Sequence, residues 1–100
     1  MIWQELDDEK QMLITQLEEL DPLGYYKEIY TDAGFVDLLY EVFDRNWDYD
    51  INLSDGVYNI TVINNGKKSF SSHENKYYAL ALAYFDALYT ETNDNNLQYN

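Results

Sequence analysis

Residues 44–56 read DRNWDYDINLSDG, and the fold turns on how this run is counted. Counted as a loop, Asp44, Asn46, Asp48, Asp50, Asn52 and Asp55 take positions 1, 3, 5, 7, 9 and 12, the ligand spacing of an EF-hand-type calcium site, with Ile51 at the hydrophobic position 8. Counted as a strand, Trp47, Tyr49, Ile51 and Leu53 alternate with Asp48, Asp50 and Asn52. Two features weigh against the loop. Tyr49 stands at position 6, where the sharp turn calls for glycine, and GVYNITVI follows where an exiting helix should begin. Any solvent-facing strand of alternating Asp and Asn reproduces the odd-numbered spacing automatically. The strand is therefore the preferred reading, with calcium ligation by those six residues as its alternative.

The period differs on either side of this run. Before it, Phe35, Leu38, Leu39, Val42 and Phe43 fall at i, i+3, i+4, i+7 and i+8, an amphipathic helix that Thr31-Asp32 can cap. Further upstream Trp3, Leu6, Leu13, Leu17 and Leu20 predict a helix over residues 1–20, which Asp21-Pro22 ends; the same pair can start a short helix carrying Leu23, Tyr26, Ile29 and Tyr30. After the run, SDG is a turn, Tyr58, Ile60 and Val62 alternate, and Asn64-Asn65-Gly66-Lys67 signals a hairpin into a short strand around Phe70. Ser71 and Glu74 have capping-box spacing ahead of a last helix, YYALALAYFDALY, in which Ala79, Ala81, Ala83 and Ala87 permit close packing. The expected fold is α+β and one domain over residues 1–100. A helix at 1–20 and helices at 21–45 lead to a three-stranded antiparallel meander at 46–71, packed by a helix at 72–90 and followed by a frayed tail at 91–100.

One hundred residues suffice for one modest core, and 46% hydrophobic content, with 11 tyrosines, is enough to fold despite a net charge of −13. The charge is unevenly placed: residues 1–55 hold 15 of the 19 acids and 3 of the 6 bases. Such a field repels nucleic acid and anionic membranes, so neither is an expected ligand, and a basic partner is the natural complement. The absence of cysteine excludes disulfides and thiolate chemistry. MIWQELDDEK puts acids where a secretory signal needs basic residues, and the longest apolar run, ALALAYF, is too short to span a bilayer, so a cytoplasmic location is expected.

Catalysis has little to rest on. His73 is the only histidine, between Ser72 and Glu74 at an expected helix start, and no GxGxxG, Walker loop or HExxH is present; no enzyme activity and no cofactor are expected. Asp37, Glu41 and Asp44 share one helix stripe that leads toward Asp48, Asp50 and Asp55. Together they would make an acidic ridge imitating the phosphate track that basic proteins read. Tyr40 and Tyr49 join them as candidate partner-binding residues, because tyrosine buries area while keeping a polar tip. Tyr25, Tyr26, Tyr30, Tyr77, Tyr78 and Tyr84 add to an excess over what one small core needs, which leaves open self-association into a homodimer or assembly.

The succession GFVDLLYEVF, YNITVINNGKKSF and ENKYYALALAYFDALY resembles the small phage proteins called ABA-sandwich domains. It is also similar to small acidic phage proteins that block bacterial defence systems, among them anti-CRISPR proteins. The resemblance covers residues 32–90 and implies action by binding a host protein in the bacterial cytoplasm. The resulting expectation is an inhibitor that mimics DNA and occupies a basic, nucleic-acid-binding surface of a host defence protein. A calcium-binding module or a structural protein are the alternatives.

Overall fold

The computed structural model describes the backbone of residues 8–98 and the side chains of residues 8–92. Two helices, α1 (Asp8–Leu20) and α2 (Asp32–Asp44), lead into the strands β1 (Asp48–Ser54), β2 (Val57–Asn64) and β3 (Lys67–His73), and a long helix, α3 (Lys76–Gln98), follows. The strands form one antiparallel sheet in the order β1-β2-β3, and the class is α+β. Trp3 and Leu6 of the expected first helix lie outside the described residues. No described helix is long and apolar enough to cross a membrane.

DRNWDYDINLSDG resolves into a helix end, a strand and a turn. Asn46 takes a left-handed conformation (φ 63°), donating its N–H to the Phe43 carbonyl at 2.9 Å, while the Trp47 N–H reaches the Val42 carbonyl, also at 2.9 Å. This pair of bonds is a Schellman stop, and the buried side chains of Val42 and Trp47 supply its hydrophobic contact. The third position of the would-be calcium loop is thus the residue that ends α2. Both hairpins turn on two residues of positive φ, Asp55-Gly56 (54° and 76°) and Asn65-Gly66 (54° and 82°), the type I′ geometry that suits the twist of the flanking strands.

Register gives the sheet two unlike faces. Tyr49, Val62 and Ser69 make one cross-strand row, and Ile51, Ile60 and Ser71 the next; on the opposite face lie the rows Asp48–Ile63–Lys68 and Asp50–Thr61–Phe70. Helix α3 packs on β2 and β3, where Ile60, Val62, Ser69 and Ser71 are buried. The third strand inverts its expected pattern. Phe70 points to solvent while two serines face inward, because small side chains opposite the alanines of α3 let the helix lie close. Buried positions 79, 80, 81, 83, 84, 87 and 88 wrap most of the circumference of α3, which is covered by the sheet and by α1 and α2.

Three expectations need correction. Residues 21–31 form turns rather than a short helix: Tyr26 donates its hydroxyl to Asp21 at 2.5 Å, Gly24 interrupts the segment, and Tyr26 and Ile29 drop into the core. α3 does not start from Ser71, which belongs to β3. Asn75 caps it instead, its Oδ1 accepting the Tyr77 and Tyr78 N–H groups at 2.9 and 3.1 Å, while His73 ends β3 with Nδ1 accepting from the Asn75 N–H. The same helix passes Thr90 and continues to Gln98, since each added turn costs little once a helix is nucleated. The cap of α2 is as expected, Thr31 Oγ1 accepting from the Gly34 N–H at 3.1 Å.

Candidate functional site: the acidic and aromatic face of α2

Helix α2 turns Gly34, Leu38 and Val42 into the core. On its far side Val36, Tyr40 and Phe43 recur at i, i+4 and i+7 with exposures of 45%, 63% and 54%. Beside them, at the same spacing, run Asp37, Glu41 and Asp44, of which Asp37 and Asp44 are exposed. The helix therefore carries three stripes: core, acidic and apolar. Phe43, expected in the core, stands clear of it and packs on Tyr49 with the two rings tilted by 60° and their centroids 5.5 Å apart. From the adjoining loop Leu23 and Tyr25 also project into solvent. Exposed apolar residues scattered singly need no explanation, but a stripe of three bordered by charge is the composition of a contact surface.

A polar node holds this face in place. Arg45, the chain's only arginine, caps the C-terminus of α2, where a cation suits the helix dipole. Its Nε donates to the Tyr84 hydroxyl at 2.8 Å, one terminal nitrogen to Asp21 at 3.2 Å, and Glu41 lies 3.6 Å away. The guanidinium also covers the Trp47 and Tyr84 rings, 5.2 and 5.7 Å from their centroids. Burial, and then the hydrogen bond to Asp21, pushes the Tyr26 hydroxyl far above the ordinary tyrosine range; burial also raises Tyr84, against the opposing pull of Tyr26 and Arg45. One arginine thus ties the end of α1, the 21–31 loop, α2 and α3 together.

Between that loop and α2 opens a cleft of about 180 Å³, lined by Tyr25, Tyr26, Ile29 and Leu38 with the carboxylates of Asp37 and Glu41. Gly34 sets its depth, because a Cβ there would sit 1.8 Å from the Glu28 carbonyl oxygen. The loop can lie on the helix at this point only against glycine.

The structure separates the acids that the sequence grouped. Phe43 and Tyr49 meet on the flank of α2 nearest the sheet, whereas Asp37 and Glu41 line the cleft on the other flank. Asp48 and Asp50 stand on the sheet face opposite Tyr49, and Asp55 sits in the β1–β2 turn. Nor do the six residues of the calcium spacing converge. Asp48, Asp50 and Asn52 lie in a row along one face of β1 at roughly 6.6 Å intervals, Asn46 belongs to the end of α2 and Asp55 to the β1–β2 turn, so the six do not surround one point. Among the described residues no group of three acidic or histidine side chains is placed to hold a metal ion.

Sequence reasoning singled out Asp37, Tyr40, Glu41 and Asp44 on this helix; it did not single out Val36, Phe43, Leu23, Tyr25 or Arg45 as part of the same surface. The available signal was an excess of apolar positions on α2. Val36, Tyr40 and Phe43 repeat at helical spacing in parallel with Leu38 and Val42, one stripe more than a single core can absorb. No protein-family model, curated protein or solved structure matches the chain.

Proposed function

We propose that the protein is a non-catalytic binding protein, a phage-type inhibitor that occupies a basic, nucleic-acid-binding surface of a host defence protein. The observation that carries this reading is the pairing on α2 of exposed carboxylates (Asp37, Asp44) with exposed rings (Tyr40, Phe43) on one rigid helix. A nucleic-acid-binding groove presents Lys and Arg to phosphates and apolar or aromatic surface to bases. Carboxylates can stand for the former ligand and flat rings for the latter, so one helix face offers both kinds of contact. The net charge of −13 adds long-range attraction to such a groove and repulsion from nucleic acid itself. The phage origin and the host target rest on the resemblance in the order of sequence elements.

The test is competition. Immobilised protein is exposed to a bacterial lysate, the retained protein is identified by mass spectrometry and purified, and its nucleic-acid affinity is measured with and without this chain. Mutual exclusion that weakens steeply with salt is expected. A partner that holds nucleic acid and this protein together, neither weakening the other, would replace the decoy with an interface that leaves the nucleic-acid site open.

A further inference from the structure

The reading above leaves open which group of a basic partner is recognised, and the cleft beside α2 answers that in chemical terms. There charge and concavity coincide on the acidic face. Asp37 stands on its rim with no ion-pair partner among the described residues, and Glu41 lies on the same side. None of the residues lining the cleft is basic; Lys27, the only base in the 21–31 loop, is exposed outside it. The walls are not polar: the rings of Tyr25 and Tyr26 and the side chains of Ile29 and Leu38 complete them. An ammonium ion is strongly hydrated and gains little from such walls. A guanidinium is flat, weakly hydrated, stacks on aromatic faces and pairs two nitrogens with a carboxylate, so it matches every element of the lining. The molecule uses the same chemistry internally a short distance away, where Arg45 lies over two aromatic rings and donates to Asp21.

We propose that this cleft is a socket for a single arginine side chain of the partner, its guanidinium paired with Asp37 and lying along Tyr25. The proposal rests on the reading of the chain as a binder of basic surfaces. It assigns the arginine a role beyond general attraction, since a decoy acting by field alone would treat lysine and arginine alike and would value every exposed carboxylate equally. About 180 Å³ admits one long side chain and not a peptide segment, so the rest of the partner lies outside the cleft.

The experiment is an amide NMR titration of the whole chain with blocked hexa-arginine and, separately, blocked hexa-lysine, repeated on Asp37→Asn and on Asp50→Asn. The second variant removes the same charge from the outer face of the sheet. Saturable shifts centred on Gly24, Tyr25, Ile29 and Gly34 are expected with the arginine peptide, which should bind several-fold tighter than the lysine peptide. Asp37→Asn should weaken the arginine peptide by about tenfold, the loss of one charge-assisted pair, whereas Asp50→Asn should leave it within about twofold. Equal losses in the two variants, or equal affinity for the two peptides, would overturn the socket and leave binding by field intact. Shifts confined to Val36, Tyr40 and Phe43 would place the contact on the helix face and likewise remove the socket. No saturable binding of either peptide would remove the socket and weigh against the basic-partner reading too. Asp37 and Asp50 are exposed, so both variants should fold, and circular dichroism checks that they do.

Discussion

The acids exposed on α2 and those exposed on the outer face of the sheet are set in surfaces built differently. On α2, Asp37 follows Val36 and Asp44 follows Phe43, with Tyr40 between them, on a helix fixed to the core by Leu38 and Val42 and at its end by Arg45. On the outer face of the sheet, Asp48 and Asp50 alternate with Tyr49 and Ile51, which turn inward, and the exposed Phe70 lies two strands away from Asp50. At a strand spacing of roughly 4.8 Å that is too far for the ring and the carboxylate to meet one ligand group together. Charge alone keeps a face wet. Charge set beside apolar surface that the fold leaves uncovered marks a place where losing water would be favourable once a partner arrives. The comparison also separates two kinds of polar residue, those in the node that hold α2 and those on its face that meet solvent.

The strongest of the expected effects on the node is alkaline. Tyr26 and Tyr84 are held above the ordinary tyrosine value, so the folded protein keeps protons that the unfolded chain releases near about pH 10. Below that value the stability these groups confer is fully present; above it, stability falls as the pH rises toward the folded-state values. The slope is about 1.4 kcal/mol per pH unit for each tyrosine held neutral, less whatever solvent screening relieves. The part of the tyrosinate absorbance that Tyr26 and Tyr84 contribute should therefore appear together with the loss of ellipticity, and Tyr26→Phe should remove its share of that step. If both buried tyrosines ionise while the ellipticity stays native, the node does not hold the helices.

Next comes Arg45→Ala, which takes the charged donor from Asp21, leaving it the Tyr26 hydroxyl, removes the guanidinium that donates to the Tyr84 hydroxyl, and uncovers Trp47. A loss of about 2–3 kcal/mol is expected in urea denaturation. A loss no greater than that of a surface acid on β1 would mean that α2 is held by Leu38 and Val42 alone.

The reading of the opening stretch shows where sequence reasoning reached and where it stopped. Alternation in WDYDINL and the Asp-Gly and Asn-Gly pairs made the meander legible, because register and turn type are local properties. The loop at 21–31 was not legible: Asp21-Pro22 is a good helix start locally, and only the distant demand of Arg45 and the burial of Tyr26 overrule it. Ser69 and Ser71 were opaque for a related reason, since a serine faces inward only when an alanine-rich helix lies on it. The acids of α2 were legible as a stripe. The surplus apolar stripe of α2 is written in the sequence, but which stripe stays exposed, and that the β1 acids lie on another face, depends on which flank of α2 meets the sheet, a tertiary fact.

Tyr40→Ala with Phe43→Ala sharpens the functional half of the comparison. Both side chains are more than half exposed, so thermal stability should change little, while affinity for the captured partner should drop by about 2 kcal/mol, some thirtyfold, chiefly through faster dissociation. A double variant that unfolds early would make these rings structural, as the contact of Phe43 with Tyr49 allows. Equal affinity in surface plasmon resonance would take the partner off α2 altogether.

The smallest effects belong to the outer face of the sheet. Asp48 and Asp50 are exposed, and Asp48 accepts the neighbouring Tyr49 N–H, at 2.8 Å, so neutralising either should shift stability by less than about 0.5 kcal/mol. Removing one of many like charges also relieves self-repulsion, and the small gain or loss should fade as salt screens the field. Association with the partner should slow slightly, through the reduced net charge, with dissociation unchanged. Millimolar calcium belongs in the same series: six side chains strung along a helix end, a strand and a turn present no preformed cage, and the melting temperature should not rise. If Asp50→Asn instead speeds dissociation as much as Tyr40→Ala does, the two acidic surfaces act as one interface. A partner would then have to reach around the edge of the sheet from α2, across the Phe43–Tyr49 contact that joins them.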